Sequence, residues 1–343
     1  MLRLSVFAFL ALAATALDNQ AGARDLTVVG FGGGFQDNAR KSLFQGFAAA
    51  SGQPVKDDVY DGEQARIAAM VKTHDVTWDV VMVEAPEMIR GCEDGLYEKI
   101  DWSIVNRAKF IPNGTAICGA GAVGWGVALF YDQKRIGNGP LSYAQLWDTK
   151  TWPGKRLLRN GAKTTLEIAL LADGVPRADI YKVLATKTGQ DRAFAKLDAI
   201  KPDLMWWKSG AQPLQLVGSG DVAFAVGFVG RTARAVQDGA AYPLLWQTLL
   251  FSFDFWTVVK GSPNTPQAMK LIDYMTDAGP LRELAKDWVV SPATAAVAQD
   301  PVVRAKNPAM VAEHAEDGVF IDTEFWVQHG DDLERRFAAW VAR

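Results

Sequence analysis

The chain is short of the residues that most metalloenzymes, hydrolases and nucleic-acid binders rely on. Its 343 residues include three histidines and two cysteines. His74, His314 and His329 stand apart, without the H-E-x-x-H or H-x-H spacing that gathers zinc. No G-x-S-x-G elbow presents a nucleophilic serine. The seven tyrosines never occur as neighbours, so paired-tyrosine metal capture has no basis. An exported enzyme would need a Ser, His and Asp brought together by folding, and that is the enzymatic alternative. Charge is also sparse: 36 basic against 39 acidic residues give a net charge of -3 with no long run of one sign. Nucleic acid is excluded as a partner, because phosphate binding needs a basic face.

What is present suits a globular protein with ample core. The chain is 49% hydrophobic and long enough for two domains. Arg3 precedes an apolar run from Leu4 to Leu17 that is too short to span a bilayer, and Ala21-Gly22-Ala23 offers a small-x-small cleavage site. Residues 1–23 are expected to be a cleaved export signal, the alternative being an uncleaved frayed helix. No cysteine follows the run, so no lipid anchor is expected. Export permits a disulfide between Cys92 and Cys118. The alternative is two buried thiols. Neither cysteine lies in a metal or thiol-nucleophile motif.

Hydrophobic periodicity gives strands at 25–30, 54–60 and 78–83, with helical spacing between them at Phe35, Ala39, Leu43, Phe44 and Phe47 and again at 63–72. Strands are also expected at 124–131, 152–159, 222–226 and 251–259, separated by helices. This alternation implies an α/β protein with mainly parallel sheets flanked by helices. In VGFGGGFQDN, Gly30 and Gly32 match a dinucleotide fingerprint, but Phe35 occupies its last glycine position. The glycines instead open backbone space at a strand end between Phe31 and Phe35, either of which can equally serve the core.

Two stretches carry chemistry. In GSGDVAFAVGFVGRTARA a strand ends and a helix begins at Arg231, beyond a strand's carboxyl end, where open α/β sheets bind ligands. Arginine offers a carboxylate a two-pronged partner; a surface pair with Asp238 is the plainer reading. In FSFDFWT, Asp254 is the one carboxylate of an apolar strand, among Phe253, Phe255 and Trp256. Such a group needs a cation, and either a ligand ammonium with aromatic neighbours or an internal pair with Arg231 would supply it.

These segments, with WDVVMVEAPE, GWGVALFYD and the order of elements, resemble the periplasmic solute-binding proteins of the spermidine/putrescine type over nearly all of the mature chain. The resemblance implies a type II two-lobe periplasmic-binding-protein fold with the ligand in the cleft. Lobe 1 would comprise 24–128 plus 256–305, and lobe 2 would comprise 129–255 plus 306–343. It also implies a monomeric, periplasmic capture component of an ABC importer that closes by a hinge, hands its solute to an inner-membrane permease, and needs no cofactor, metal or catalytic residue. Polyamine binders resemble VGWAGD where this chain reads VGFVGR, so Phe228 replaces a Trp and Arg231 an Asp. Asp254 keeps an acidic position, and another falls on Thr164. The Arg231/Asp254 combination resembles the γ-aminobutyrate-binding branch, which implies a small zwitterionic ω-amino acid with its carboxylate on Arg231 and its amine on Asp254. Phe31, Phe35, Tyr60, Glu84, Phe228, Trp256 and Ser291 complete the expected site. Asn160 and Lys163 are further candidates, and Trp206-Trp207 is assigned to core or surface. Putrescine, spermidine or an aminoalkylphosphonate are the alternative ligands on the same scaffold.

Overall fold

The structure is a computed structural model that describes residues 24–288, 291–306 and 311–343. The expected export signal and its cleavage site lie outside the described residues. Ten strands occur among them: β1 (Leu26–Gly30), β2 (Val55–Val59), β3 (Val80–Glu84), β4 (Ala120–Tyr131), β5 (Arg156–Arg159), β6 (Leu204–Trp207), β7 (Phe224–Phe228), β8 (Leu250–Val258), β9 (Ser291–Pro292) and β10 (Val319–Phe320). They form one curled mixed sheet in the order β2-β1-β3-β8-β4-β7-β5-β6, with β9 on β4 and β10 on β8.

The expected parallel units are present at both ends of this order. β1 runs parallel to β2 and β3, and β5 runs parallel to β6 and β7. Between them β8 and β4 run antiparallel to each other, β8 antiparallel to β3 and β4 antiparallel to β7, while the short β10 pairs with β8 in parallel. β4 and β8 are the segments along which the chain passes from one half to the other.

Two large hydrophobic cores lie either side of that crossing. One gathers Val28, Val80, Met82, Trp256 and Val258 under the helices at Thr265–Met275 and Ala278–Asp287. The other gathers Leu129, Leu158, Leu166 and Val226 under helices that include Lys187–Asp198 and the long C-terminal Thr323–Val341. The C-terminal helix docks through Phe325, Trp326, Leu333, Phe337 and Trp340. Burying one side chain of this size contributes about 1.5–3 kcal/mol, so this single stripe accounts for much of the helix's attachment.

Arg24, the first described residue, fastens the edge of the first half. Its guanidinium meets Asp79 at 2.6 and 3.0 Å, and Asp79 is wholly buried. Ser262 and the Thr27 amide also donate to that carboxylate. A disulfide joins Cys92, near the end of the helix Ala85–Glu93, to Cys118 just before β4. No helix among the described residues is long and apolar enough to cross a membrane.

Candidate functional site: a charged cleft between the two halves

β1, β2 and β3 of the first half and β5, β6 and β7 of the second all point their carboxyl ends toward one cavity of ≈ 550 Å³. From the first half come Phe31 after β1, Tyr60 after β2 and Glu84 at the end of β3. From the second come Arg159 at the end of β5, Trp207 at the end of β6, and Phe228 with Arg231 at and beyond the end of β7. Strands that all end at one crevice leave side chains there that no further sheet pairing covers. The crossing strands add Trp125 from β4 and Asp254 from β8.

Glu84 and Asp254 are directly opposite each other in the β3–β8 ladder, followed inward by Met82 opposite Trp256 and Val80 opposite Val258. One face of the sheet thus changes from apolar core to a pair of like charges at the cavity. Opposed carboxylates repel, and the two are handled differently. Arg159 Nη2 lies 2.9 Å from Glu84 Oε1, and Lys163 Nζ lies 2.6 Å from Glu84 Oε2. Burial works against ionisation of Glu84, but the two cations outweigh it and hold its pKa well below the usual carboxylate range. Among the described residues Asp254 forms no such ion pair, and the Lys163 and Arg159 charges act on it only from farther off. It is 6% exposed, and its Oδ1 accepts no hydrogen bond among the described residues. Burial, with the Glu84 charge added, pushes its pKa well above the ordinary value.

Arg231 is the counterpart. It sits in the first turn of the helix Val229–Gln237. Its pKa is lowered by burial, with no carboxylate among the described residues acting on it. Asp238 pairs with Arg234 instead, at 3.0 Å. The guanidinium passes between two glycines from opposite halves. A Cβ on Gly33 would come 2.7 Å from its Nη1, and one on Gly210 would come 3.1 Å from its Nε. Gly33 also has φ +67, which L side chains rarely adopt. The glycine-rich segment after β1 therefore gives room to a cation from across the cleft, and no phosphate cradle is needed to explain it.

Aromatic rings form the walls. Phe31 stacks on Tyr60 at 5.3 Å, and the Tyr60 hydroxyl donates to the Met82 carbonyl. Opposite, Phe228 meets Trp125 at 5.8 Å and Trp207 at 5.4 Å, both edge-on. Apolar walls with a few fixed charges are the usual make-up of a small-molecule site.

Of the residues expected at the site, Phe31, Phe35, Tyr60, Glu84, Phe228, Arg231, Asp254 and Ser291 all line the cavity. Thr164 and Trp256 do not. Thr164 is buried at the N-terminal end of the helix Thr165–Ala172, and its neighbour Lys163 takes the lining position. Trp256 shares the face of Asp254 but lies two residues deeper, packed in the first core. Ser291 belongs to β9, opposite Gly124. Trp125, Arg159, Trp207 and Trp288 also line the cavity without having been singled out as ligand residues. Arg159 ends a strand just as Arg231 follows one, so the strand-end rule that selects Arg231 also reaches it. For Trp125 and Trp288 no local signal distinguishes lining from core.

Residues 42–312 match the bacterial extracellular solute-binding proteins, and the chain belongs to that family. It is a solute-binding protein of the ABC-transporter type. Over 99% of its length it is 41% identical to the γ-aminobutyric acid-binding protein of Pseudomonas aeruginosa, covering 96% of that protein. Among solved structures it resembles the Atu4243-GABA receptor, with 31% identity and a TM-score of 0.83 over 93% of this chain and 98% of that one. It also resembles the periplasmic binding protein MotA of A. tumefaciens B6 in complex with glucopine, with 29% identity and a TM-score of 0.85 over 92% and 99% of the two chains.

Proposed function

We propose that this protein captures a short zwitterionic ω-amino acid, with γ-aminobutyrate the best fit, by closing its two halves over the solute. The observation that carries the reading is the pair of charges left over in the cavity. Glu84 is ion-paired with protein cations, while among the described residues Asp254 Oδ1 accepts no hydrogen bond and no carboxylate acts on Arg231. An ammonium on Asp254 and a carboxylate on Arg231 supply what each lacks, and the aromatic walls cover the methylenes between. Each charged hydrogen bond contributes roughly 1.5–3 kcal/mol, and two with apolar packing reach micromolar affinity, about -8 kcal/mol. The names of the Pseudomonas relative and of the Atu4243 receptor agree with this solute.

In this reading the chain is exported to the periplasm, its lobes meet at β4 and β8, and it delivers its solute to an inner-membrane permease without chemical turnover. The histidines support the last point: none of the three lines the cavity, and His314 and His329 lie against Trp246 and Phe325. A diamine would meet the Arg231 guanidinium with its second ammonium. A phosphonate would need another cation near Arg231; Lys163 is committed to Glu84 and Glu87, which leaves Lys208, also on the cavity lining, to supply it. Calorimetric titrations with γ-aminobutyrate, putrescine and aminoethylphosphonate in parallel test the assignment. γ-Aminobutyrate should bind at least tenfold more tightly than either rival, each 1.4 kcal/mol being one decade. Tighter putrescine binding would end it.

A further inference from the structure

Ion pairs cross the cleft along one wall of the cavity. Glu84 and Glu87 belong to the first half, at the end of β3 and in the first turn of the helix Ala85–Glu93. Arg159 and Lys163 belong to the second half, at and beyond the end of β5. Besides the contacts to Glu84, Lys163 Nζ reaches both Glu87 oxygens at 3.2 Å. Arg90, one turn along the same helix, meets Glu87 at 3.1 Å and reaches over to Asp331 on the C-terminal helix. That helix is packed into the second core. The line runs from the cavity to the rim and holds three cations and three anions.

Two features separate this line from an ordinary set of surface pairs. The Lys163 and Glu84 side chains are only 11% and 14% exposed, so water screens their attraction weakly. Within the line the signs are also segregated by half at its cavity end, while Glu334 of the second half lines the cavity as well and accepts from the Ala162 and Lys163 amides. With the halves apart, Glu84 and Glu87 of the first half face Arg159 and Lys163 of the second. Closure pairs these four with one another and leaves Asp254 and Arg231 for the solute.

We propose that Glu84, Glu87, Arg159 and Lys163, with Arg90–Asp331 at the rim, form a latch that sets how long the cleft stays closed on its solute. They are positioning residues that act by holding the two halves together. The inference rests on the reading that the cavity encloses a solute by closure, and does not depend on which solute.

The test uses the mature chain and its Glu87→Gln, Lys163→Met and doubly substituted forms. Stopped-flow binding of γ-aminobutyrate gives the rates, and small-angle scattering gives the radius of gyration. Each single substitution should raise the dissociation rate about tenfold and leave the association rate within about twofold. The double substitution should be no worse than the poorer single one, because the two remove a shared contact. The melting temperature of the solute-free protein should stay unchanged, since a latch between halves is not part of either core. An unchanged dissociation rate in Lys163→Met, or additive effects of the pair, overturns the latch. If γ-aminobutyrate fails to bind the unsubstituted protein, the solute assignment falls, and scattering alone decides the latch. Lys163→Met must then show a larger radius of gyration than the parent, and equal radii refute it.

Discussion

Asp254 faces a carboxylate across the sheet, sits in an apolar setting and has no hydrogen-bond partner on its Oδ1 among the described residues. Such a group costs several kcal/mol to keep ionised, so it titrates high unless a ligand cation arrives. That fixes the sign of the pH dependence. Without solute the Asp254 pKa is raised by burial and by Glu84; an ammonium bound beside it lowers that pKa. Affinity for γ-aminobutyrate should therefore fall as the pH drops through the raised value, and binding there should release a proton. Titrations in buffers of different ionisation enthalpy will read that proton, and no difference between buffers contradicts the assignment. The charge at position 231 makes a companion case. Arg231→Asp should weaken γ-aminobutyrate by roughly 100-fold, about 3 kcal/mol, and move preference toward putrescine. Calorimetry that finds γ-aminobutyrate affinity intact would remove Arg231 from the site.

At the scale of elements, the turn after β1 matters for what it omits. A methyl group at Gly33 would press on the Arg231 guanidinium and hold the backbone at φ +67. Gly33→Ala should cost about 1 kcal/mol of stability from the backbone alone and weaken solute binding as well, visible as a lower melting temperature together with a higher Kd. The disulfide acts on a neighbouring element. It ties the helix that carries Glu87 to the start of β4 across a sequence separation of 26, a loop worth about 3.5 kcal/mol in the chain-entropy model. Replacing both cysteines with alanine should lower the urea midpoint accordingly while leaving solute affinity nearly unchanged, because neither sulfur lines the cavity.

The elements also show why some features could be read from sequence and others not. β1, β3, β5, β7 and β8 have apolar runs bounded by turn residues, and local pattern finds them. Arg231 and Asp254 stand out because each breaks an apolar context at a strand or strand end. β6 (Leu204–Trp207) carries two tryptophans after a Lys-Pro-Asp turn, a pattern that a surface or core segment would share. β9 and β10 are two residues each, held by pairing with β4 and β8, so no local run announces them. Thr164 and Trp256 depend on depth along an element rather than on residue type. The partners of Glu84 lie 75 and 79 positions away in sequence, and only the meeting of the two halves joins them.

Across the whole molecule, one more buried carboxyl bears on stability rather than on the cleft. Glu167 lies fully buried in the second core, where Tyr181 and Trp326 both donate to its Oε1, at 2.9 and 2.8 Å. It thereby joins the helix Thr165–Ala172 to the C-terminal helix. Its Oε2 has no hydrogen-bond partner among the described residues, an arrangement suited to a proton. Burial raises its pKa from 4.5 to about 7. A carboxyl with a raised folded-state pKa binds its proton more tightly in the native chain than in the unfolded one. Its stabilisation is complete below the ordinary value and is lost as the pH climbs through about 7. Between those limits the slope is on the order of 1 kcal/mol per pH unit. Glu167→Gln keeps an acceptor for Tyr181 and Trp326 and carries no titrating proton. Urea unfolding at pH 5, 6, 7 and 8 should show the parent losing stability up to about pH 7 and levelling off towards pH 8, and the Gln form losing distinctly less. Parallel slopes in the two proteins would mean that Glu167 is ionised in the native core and that its charge is met by the two donors alone.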